Sequence, residues 1–244
     1  MVPSEGFILR YAVFFAVILG VVRVMTLCRN EIAFMILDIH THHHPSKLGE
    51  AIVQLTPESF QPQEGHFYSV GLHPWGISAN WRTQMAGLLV KALHPQVVMI
   101  GEAGIDKKRG AASIDEQIEI FREHVRLSEL VRKPLIVHCV KGVDEVLSVR
   151  KELRASLPWV IHGFRGGVEQ WEQLSRAGIF VSIGGKYDPD LVRELPLSQL
   201  LIESDELDDS SVVYDLVSTT KQVGISELRW HVADNIYSLL TACR

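Results

Sequence analysis

The sequence predicts an α/β fold of the TIM type, a (β/α) barrel, because short apolar runs alternate with amphipathic stretches after Met35. The strand-like runs are residues 35–39, 67–72, 97–101, 135–139, 159–162, 179–183 and 200–203. Helical patterns follow at residues 114–132, 143–157, 168–177, 208–222 and 225–242. Such alternation favours parallel strands joined by crossover helices. Only seven strand-like runs are visible, so we expect a barrel that is distorted or has an incomplete eighth strand.

The first strand carries two histidines at a spacing that aims them at the same point. Residues 35–37 are apolar, and Pro45 ends the segment before a polar loop. Side chains two residues apart on a strand share a face, so His40 and His42 project together. Two neutral imidazoles that converge are the beginning of a divalent-metal site. The neighbouring His43 and His44 are expected to be loop residues, and Asp38 to orient a ligand histidine.

The clearest helix is predicted at residues 114–132. Ser113 stands where an N-cap is expected, and Glu116 follows three residues later, the spacing of a capping box. A terminal helix is expected over residues 225–242. We find no internal repeat and no low-complexity linker that would divide the chain after Met35.

Composition and net charge indicate one large folded domain, and they argue against a broad basic nucleic-acid-binding surface and against a disulfide framework. The 244 residues fit one large domain, 22% of them are charged and 47% are hydrophobic. A net charge of −5 argues against a broad electropositive nucleic-acid surface, although not against an enzyme that meets phosphates through a metal. The cysteines lack a CxxC spacing and are odd in number, which favours a reducing compartment and no disulfide framework. They are Cys28, Cys139 and Cys243.

Residues 1–34 form a hydrophobic N-terminal extension, and residues 35–244 form the domain. Residues 7–27 are apolar apart from Arg10 and Arg23. Three interpretations stay open: an extension upstream of the natural start at Met35, a membrane anchor, or a cleaved signal. The expected location is the cytoplasm, with membrane anchoring through this segment as the alternative. Membrane contact is expected only through residues 7–27, and no protein partner is inferred.

Polar residues that bind metal or phosphate end six of the seven predicted strands. The active site of such a barrel forms at the C-terminal ends of its strands. One histidine at a strand end usually packs or accepts a hydrogen bond, but six such ends together are hard to produce by packing. The residues are His40, His42, His73, Glu102, His138, His162 and Asp205. The joint pattern predicts a metal site at the C-terminal ends of the strands.

The chain resembles the TatD family of metal-dependent deoxyribonucleases and hydrolases. The matching segments are Asp-Ile-His-Thr-His at 38–42, Gly-Leu-His-Pro at 71–74 and Ile-Gly-Glu-Ala-Gly-Ile-Asp at 100–106. Val-His-Cys at 137–139, His-Gly-Phe-Arg-Gly at 162–166 and Glu-Ser-Asp at 203–205 continue the order, with a weaker match at Asn235. The resemblance implies a barrel that hydrolyses phosphodiesters, such as DNA, with two divalent cations.

The resemblance also implies roles for single residues. His40, His42 and Asp205 would hold one metal, and Glu102 would bridge to a second metal held by His138 and His162. Asp205 and Glu102 are the expected catalytic residues, with Asp205 accepting a proton from the attacking water. His73 is expected to contact a substrate phosphate. The donor set suits Zn, Mn, Ni or Co, and its carboxylates admit Mg.

Two segments depart from the family pattern. A Cys-Phe-Ser-Gly-like sequence is usual after the fifth-strand histidine, where this chain has Gly163-Phe164-Arg165-Gly166. Arg165 is therefore predicted to add a phosphate contact, unless it pairs with Glu169 or Glu172. An acidic segment, residues 206–209, replaces the usual proline-rich loop and discourages a nearby polyanion. The basic residues 107–109 would offset the repulsion between this acidic segment and a polyanion.

Two other classes of function stay open. Amidohydrolase barrels also open with His-x-His and act on esters, amides or lactones, but they commonly bridge their metals with a modified lysine on the fourth strand. In the predicted order Glu102 stands on the third strand instead, which favours the phosphodiesterase. A PHP-type phosphoesterase shares the first motif but not the segment at 101–106. A barrel that has lost catalysis and only binds is the last alternative.

Overall fold

The computed structural model describes residues 35–45 and 47–242, and within them the chain forms eight parallel strands. The hydrophobic extension, residues 1–34, lies outside the described residues. The strands are β1 (Asp38–Thr41), β2 (Ala51–Leu55), β3 (Phe67–Val70), β4 (Val97–Asp106), β5 (Leu135–Val140), β6 (Trp159–Ile161), β7 (Ile179–Ile183) and β8 (Leu201–Ile202). They lie side by side in chain order, so the predicted TIM-type barrel is confirmed.

Seven α-helices cover the barrel in the described part of the chain. They are α1 (Trp81–Ala92), α2 (Ile114–Val131), α3 (Val143–Leu153), α4 (Val168–Arg176), α5 (Pro189–Glu194), α6 (Ser211–Lys221) and α7 (Ile225–Thr241). The Ser113 hydroxyl accepts from the Glu116 N–H, so the predicted N-cap of α2 is confirmed. None of the helices in residues 47–242 is long and apolar enough to cross a membrane.

The expected incomplete eighth strand is confirmed, since β8 has only two residues, but the list of seven strands missed the second strand of the barrel. β2 is a run of five residues, Ala51–Leu55, and it pairs in parallel with both β1 and β3. It ends at Leu55 and Thr56, without a residue that binds metal or phosphate. Every later strand therefore moves up by one place, and Glu102 lies on the fourth strand.

The barrel closes where β8 meets β1, through few contacts. One isolated bridge pairs Thr41 with Asp205. The Asp205 N–H donates to the His40 carbonyl at 3.1 Å, and the Asp205 carbonyl accepts from the His42 N–H at 3.1 Å. We call this junction, from Asp38 to His42 on one side and Glu203 to Asp205 on the other, the seam.

Asp38 ties the seam together through the backbone. Its side chain is 4% exposed, and its Oδ1 accepts from the N–H groups of His40 at 3.2 Å and of Ser204 at 3.1 Å. Burial raises the pKa of Asp38 to about 7. Asp38 therefore positions the backbone of a predicted ligand. Its contact with His40, which it was expected to orient, is to the main-chain N–H and not to the ring.

Two glycines set the approach of β4 to β5. Gly101 has φ +116° and Gly104 has φ +154°. A Cβ on Gly101 would lie 2.3 Å from the Ile136 carbonyl oxygen, and one on Gly104 would lie 2.0 Å from that of His138. The register shifts between Ile100 and Ala103, which is how a β-bulge re-aims a side chain. The bulge contains Glu102.

The last helix is anchored against the start of β8. The Asn235 side-chain amide on α7 donates to the carbonyls of Leu197 at 2.7 Å and Leu200 at 2.9 Å. Both carbonyls precede β8, so α7 fixes the strand that leads into Asp205. Asn235, the weakest motif in the sequence, is therefore a structural residue at this point of the fold.

Candidate metal centre

One buried carboxylate lies at the centre of the C-terminal end of the barrel. Glu102 is 1% exposed, and its two oxygens face different side chains. Oε2 lies 3.4 Å from His40 Nε2 and 3.6 Å from His42 Nε2. Oε1 lies 2.7 Å from His138 Nδ1 and 2.7 Å from His162 Nε2. The carboxylate therefore stands between two pairs of imidazoles.

Asp205 joins the group on the Oε2 side. Its Oδ1 lies 3.7 Å from His40 Nε2 and 3.5 Å from His42 Nε2. The residue has φ +54°, a left-handed conformation that aspartate tolerates better than most side chains. The seam holds its backbone on both sides, which fixes the direction of the carboxylate. Each oxygen of Glu102 thus has a cluster of predicted ligands of its own.

The histidines on the Oε1 side each contact a second carboxylate through their other ring nitrogen. His138 Nε2 lies 3.1 Å from Asp106 Oδ2, and His162 Nδ1 lies 3.4 Å from Glu203 Oε1. Both ring nitrogens of each histidine therefore face a carboxylate, and the nearer one is Glu102. With a metal on the Glu102 side, His138 Nδ1 and His162 Nε2 would supply the lone pairs, and the remaining ring protons would face Asp106 and Glu203.

Sequence reasoning left Asp106 and Glu203 without a role. Both stand inside quoted motifs, but their contacts depend on strand packing that the motif does not show. Glu203 is fully buried, and the Ser182 hydroxyl donates to its Oε2 at 2.5 Å. Asp106 is 1% exposed. Asp106 is hydrogen-bonded to the His138 ring, and Glu203 lies beside the ring of His162.

His73 also reaches this cluster, with its Nε2 3.0 Å from Glu102 Oε1. Its Nδ1 accepts from the Trp75 backbone N–H at 3.1 Å. In the neutral ring the proton is therefore on Nε2, which makes that nitrogen a donor rather than a metal ligand. His73 Nε2 also lies 3.1 Å from His138 Nδ1. Proximity alone would add His73 to a metal-binding group, but its hydrogen bond to the main chain opposes this role.

The turn before His73 is anchored by His124, a residue of α2. The fully buried His124 accepts the Leu72 N–H through Nε2 at 3.0 Å, while its Nδ1 donates to the Ile120 carbonyl at 2.8 Å. Burial lowers the pKa of His124 to about 4, so the ring is neutral and keeps this tautomer. The turn that carries His73 is thereby fastened to α2.

The buried polar atoms of the cluster fit a cation. Both ring nitrogens of His40 and the Oε2 of Glu102 are buried without a hydrogen-bond partner among the described residues. Buried polar groups normally have partners, so unpaired ones that converge need an explanation. Imidazole nitrogens and carboxylate oxygens are the donors that divalent transition metals prefer. The residues present therefore fit a metal centre.

Charge coupling inside the cluster leads to the same conclusion. Burial raises the pKa of Glu102, but the charge of His162 and hydrogen bonds from the histidines outweigh it and hold the pKa well below its usual value. Burial lowers the pKa of His162, and Glu102 and Glu203 more than reverse this, so it lies well above normal. A bound cation would take over the charge compensation from the His162 proton.

The remaining predicted residues lie away from the cluster. Arg165 is exposed on the loop after β6, and no ion pair links it to Glu169, Glu172 or another described residue. His43 and His44 are exposed loop residues as expected, with His43 near the Glu206 carbonyl. The structure thus brings together six predicted ligands and His73, but not Arg165.

The argument from strand number against an amidohydrolase was wrong, because β2 places Glu102 on the fourth strand rather than the third. The type of residue still distinguishes the two classes. A buried glutamate occupies this place on β4, where the amidohydrolase pattern has a lysine. What favours the phosphodiesterase is therefore the residue itself and not its position in the strand order.

Comparisons with known proteins agree with this geometry. Residues 28–236 match the family model described as TatD related DNase. The chain is 29% identical over 147 residues to an uncharacterized metal-dependent hydrolase, YabD, of Bacillus subtilis, covering 57% of this chain and 58% of that protein. It is 31% identical over 147 residues to the 3'-5' ssDNA/RNA exonuclease TatD of Erwinia billingiae, covering 56% of each. These alignments span less than two thirds of the curated relatives.

A solved structure shows the same fold. The crystal structure of the TatD homologue YJJV from Escherichia coli superposes with a TM-score of 0.70 at 20% identity. The superposition covers 83% of this chain and 96% of that one. Because the family model spans most of the chain, including every residue of the cluster, the chain belongs to the family of TatD-related DNases.

Proposed function

We propose that this protein is a divalent-metal-dependent hydrolase of phosphodiester bonds, of the deoxyribonuclease type. The observation that carries the proposal is the division of Glu102, whose two oxygens serve separate clusters of histidines. A carboxylate in this position is suited to hold two cations at once. Two cations, when bound, would activate a water and stabilise the attacking and leaving oxygens of a phosphoryl group.

The residues divide into two metal sites in this proposal. His40, His42 and Asp205 would hold one cation, and His138 and His162 would hold the other, with Glu102 shared between them. Four imidazoles favour Zn, Ni, Co or Mn, while Mg would rely on the carboxylates. Asp106 and Glu203 support the second site, since each offers an acceptor for the ring proton that a metal-bound histidine would keep on its other nitrogen.

Other residues of the chain would handle the proton and the phosphate. Asp205 is 30% exposed, more than Glu102, so its carboxylate has access to solvent and suits acceptance of the proton from the attacking water. His73 carries its proton on Nε2 and would donate to a phosphate oxygen. Arg165 is proposed as a second phosphate contact from the loop after β6, free of competing ion pairs.

The comparisons support nucleic acid as the substrate class. The family model is described as a DNase, and the Erwinia billingiae relative is named an exonuclease of single-stranded DNA and RNA. The proposal extends these names to this chain on the strength of the metal cluster. An amidohydrolase-like activity on small esters and a binding-only barrel are not favoured by the comparisons.

A panel of substrates tests the proposal. The full chain, reconstituted with each candidate metal, would be offered single-stranded DNA, RNA, bis-p-nitrophenyl phosphate and simple carboxylic esters. Turnover restricted to phosphodiesters, lost with a chelator and restored by metal, is the expected result. Hydrolysis of carboxylic esters alone would point to the amidohydrolase-like alternative. Tight metal binding without any turnover would indicate a binding barrel.

Replacing His73 by alanine should weaken substrate binding more than metal binding. The lost interaction is a hydrogen bond to a charged phosphate, worth about 1.5–3 kcal/mol, so KM for a phosphodiester should rise roughly tenfold or more. Steady-state kinetics beside metal analysis of the purified variant would separate the two effects. Loss of bound metal on the scale of the kinetic loss would instead make His73 a ligand. His44→Ala, at an exposed loop histidine, is the matched control.

A further inference from the structure

An exposed indole stands next to the metal cluster and is part of no role assigned so far. Trp75 is 44% exposed, whereas tryptophan is highly buried on average in folded proteins. Its ring centroid lies 4.8 Å from that of His73 and 5.7 Å from that of His138. The guanidinium of Arg109 lies over the indole at 4.0 Å from its centroid. An aromatic and guanidinium stack therefore borders the site.

One carboxylate holds this stack and a predicted ligand at the same time. Asp106 Oδ2 accepts from Trp75 Nε1 at 2.6 Å and lies 3.1 Å from His138 Nε2. Its Oδ1 accepts from the backbone N–H groups of Lys108 at 2.7 Å and Arg109 at 2.8 Å. The donors keep the pKa of Asp106 low, at about 2, although burial raises it. The stack is thus fixed before any ligand arrives, which lowers the entropic cost of binding.

Charge at the rim favours an anion on the same side. Lys107 is paired with Glu145 at 2.7 Å, but Lys108 and Arg109 are exposed and form no ion pair with another described residue. The acidic segment, residues 206–209, follows β8, and the basic one follows β4. β4 and β8 are four positions apart in a barrel of eight strands, so the two segments lie on opposite sides of its C-terminal end. The side that carries Trp75 is the basic one.

We propose that Trp75 and Arg109 form a subsite that stacks the nucleobase adjacent to the scissile phosphate. This inference rests on the proposed function, because it takes the phosphate to lie at the metal cluster. Bases stack on aromatic rings and on guanidinium planes whatever their sequence. His73 would donate a hydrogen bond to the phosphate, and Trp75, two residues later in the chain, would stack against the base.

The subsite has a consequence for the form of the substrate. A base in a duplex is already stacked on both faces and paired, so it must be extracted before it can lie against Trp75. Extraction costs a few kcal/mol, and a single strand avoids most of this cost. The Trp75 subsite therefore favours single-stranded nucleic acid without reading its sequence.

The test measures binding, so that it does not depend on turnover. Fluorescein-labelled, nuclease-resistant thymidine phosphorothioates of five nucleotides, each with one abasic position, would be titrated into metal-loaded protein and followed by anisotropy. At one position the abasic change should weaken binding to the unchanged protein about tenfold, the scale of one base on an aromatic ring. Trp75→Ala should weaken binding of the intact oligomer equally, and should add less than twofold at that abasic position.

Three further variants keep the result interpretable. Trp75→Phe retains an aromatic face but loses the hydrogen bond to Asp106, so it should keep most of the affinity. Arg109→Lys retains the charge but not the plane, and should lose several-fold. Val90→Ala, at an exposed position on α1, is the remote control and should bind normally.

Two outcomes would overturn the subsite. Equal losses for Trp75→Ala on the intact and on every abasic oligomer would show that the indole acts only through His73 and Asp106. Unchanged binding would show that no base contacts it. The proposed function fails by a different result, the absence of phosphodiester turnover by the unchanged protein in the substrate panel.

Discussion

Replacing Glu102 by glutamine is expected to abolish phosphodiester hydrolysis while the barrel stays folded. The amide offers one oxygen and one N–H₂ group, so it cannot present an acceptor to both histidine clusters. Removing a residue that only hydrogen-bonds a metal ligand lowers metal affinity or activity by about 10- to 100-fold. Removing a ligand shared by two metals should lower them by at least about 100-fold. Metal content and activity of the variant would be measured beside its circular dichroism spectrum.

Matched variants distinguish loss of the bridge from loss of the fold. Glu102→Asp keeps two oxygens but withdraws them by one methylene, and should retain part of the metal. Glu64→Gln makes the same chemical change at an exposed position and should have no effect. If Glu102→Gln bound two equivalents of metal and hydrolysed phosphodiesters at the normal rate, the model of a shared carboxylate would be wrong.

The largest effect on stability is expected for Asp38→Ala. Its carboxylate satisfies two buried N–H groups, those of His40 and Ser204, on opposite sides of the seam. A buried donor left without a partner costs about 1–3 kcal/mol, so with two such donors the free energy of unfolding should fall by about 2–6 kcal/mol. Urea denaturation of the metal-free protein measures this change without a contribution from bound cations.

Asp38→Asn is the matched control for that experiment. The amide oxygen is still an acceptor in the same place, and burial already raises the pKa of Asp38 to about 7, so a neutral group suits the site. We expect a change of about 1 kcal/mol or less. If alanine were tolerated as well as asparagine, the seam would not depend on this carboxylate.

The sequence predicted those strands in which an apolar run is followed by a polar residue that can bind metal. The strands ending near Glu102, His138 and His162 were found, because an apolar run led to a polar residue in each of them. β2 was missed since it lacks such an ending, and α1 was missed since its exposed face carries apolar residues. These are Leu89 and Val90, which blur the period of an amphipathic helix.

The family resemblance implied both the candidate ligands and their division between two metals, but the contacts that orient these side chains could not be predicted. The irregular register in β4 between Ile100 and Ala103, which contains Glu102, had no counterpart in the predicted strand pattern. The ring of His73 is fixed by the Trp75 backbone N–H within its own turn, and the ring of His138 is contacted by Asp106, which strand packing brings near. Trp75 had no predicted role. Its exposure beside the cluster is a property of the folded chain.

A metal bound next to the seam would stabilise the closure of the whole barrel. His40 and His42 belong to the first strand and Asp205 follows the last, so a cation held by all three would join the two ends of the barrel. The junction has few backbone hydrogen bonds of its own, which makes it the natural place for the barrel to unzip. A bound ion would act there as a clasp, and amide exchange at Thr41 and Asp205 should slow most when metal is added.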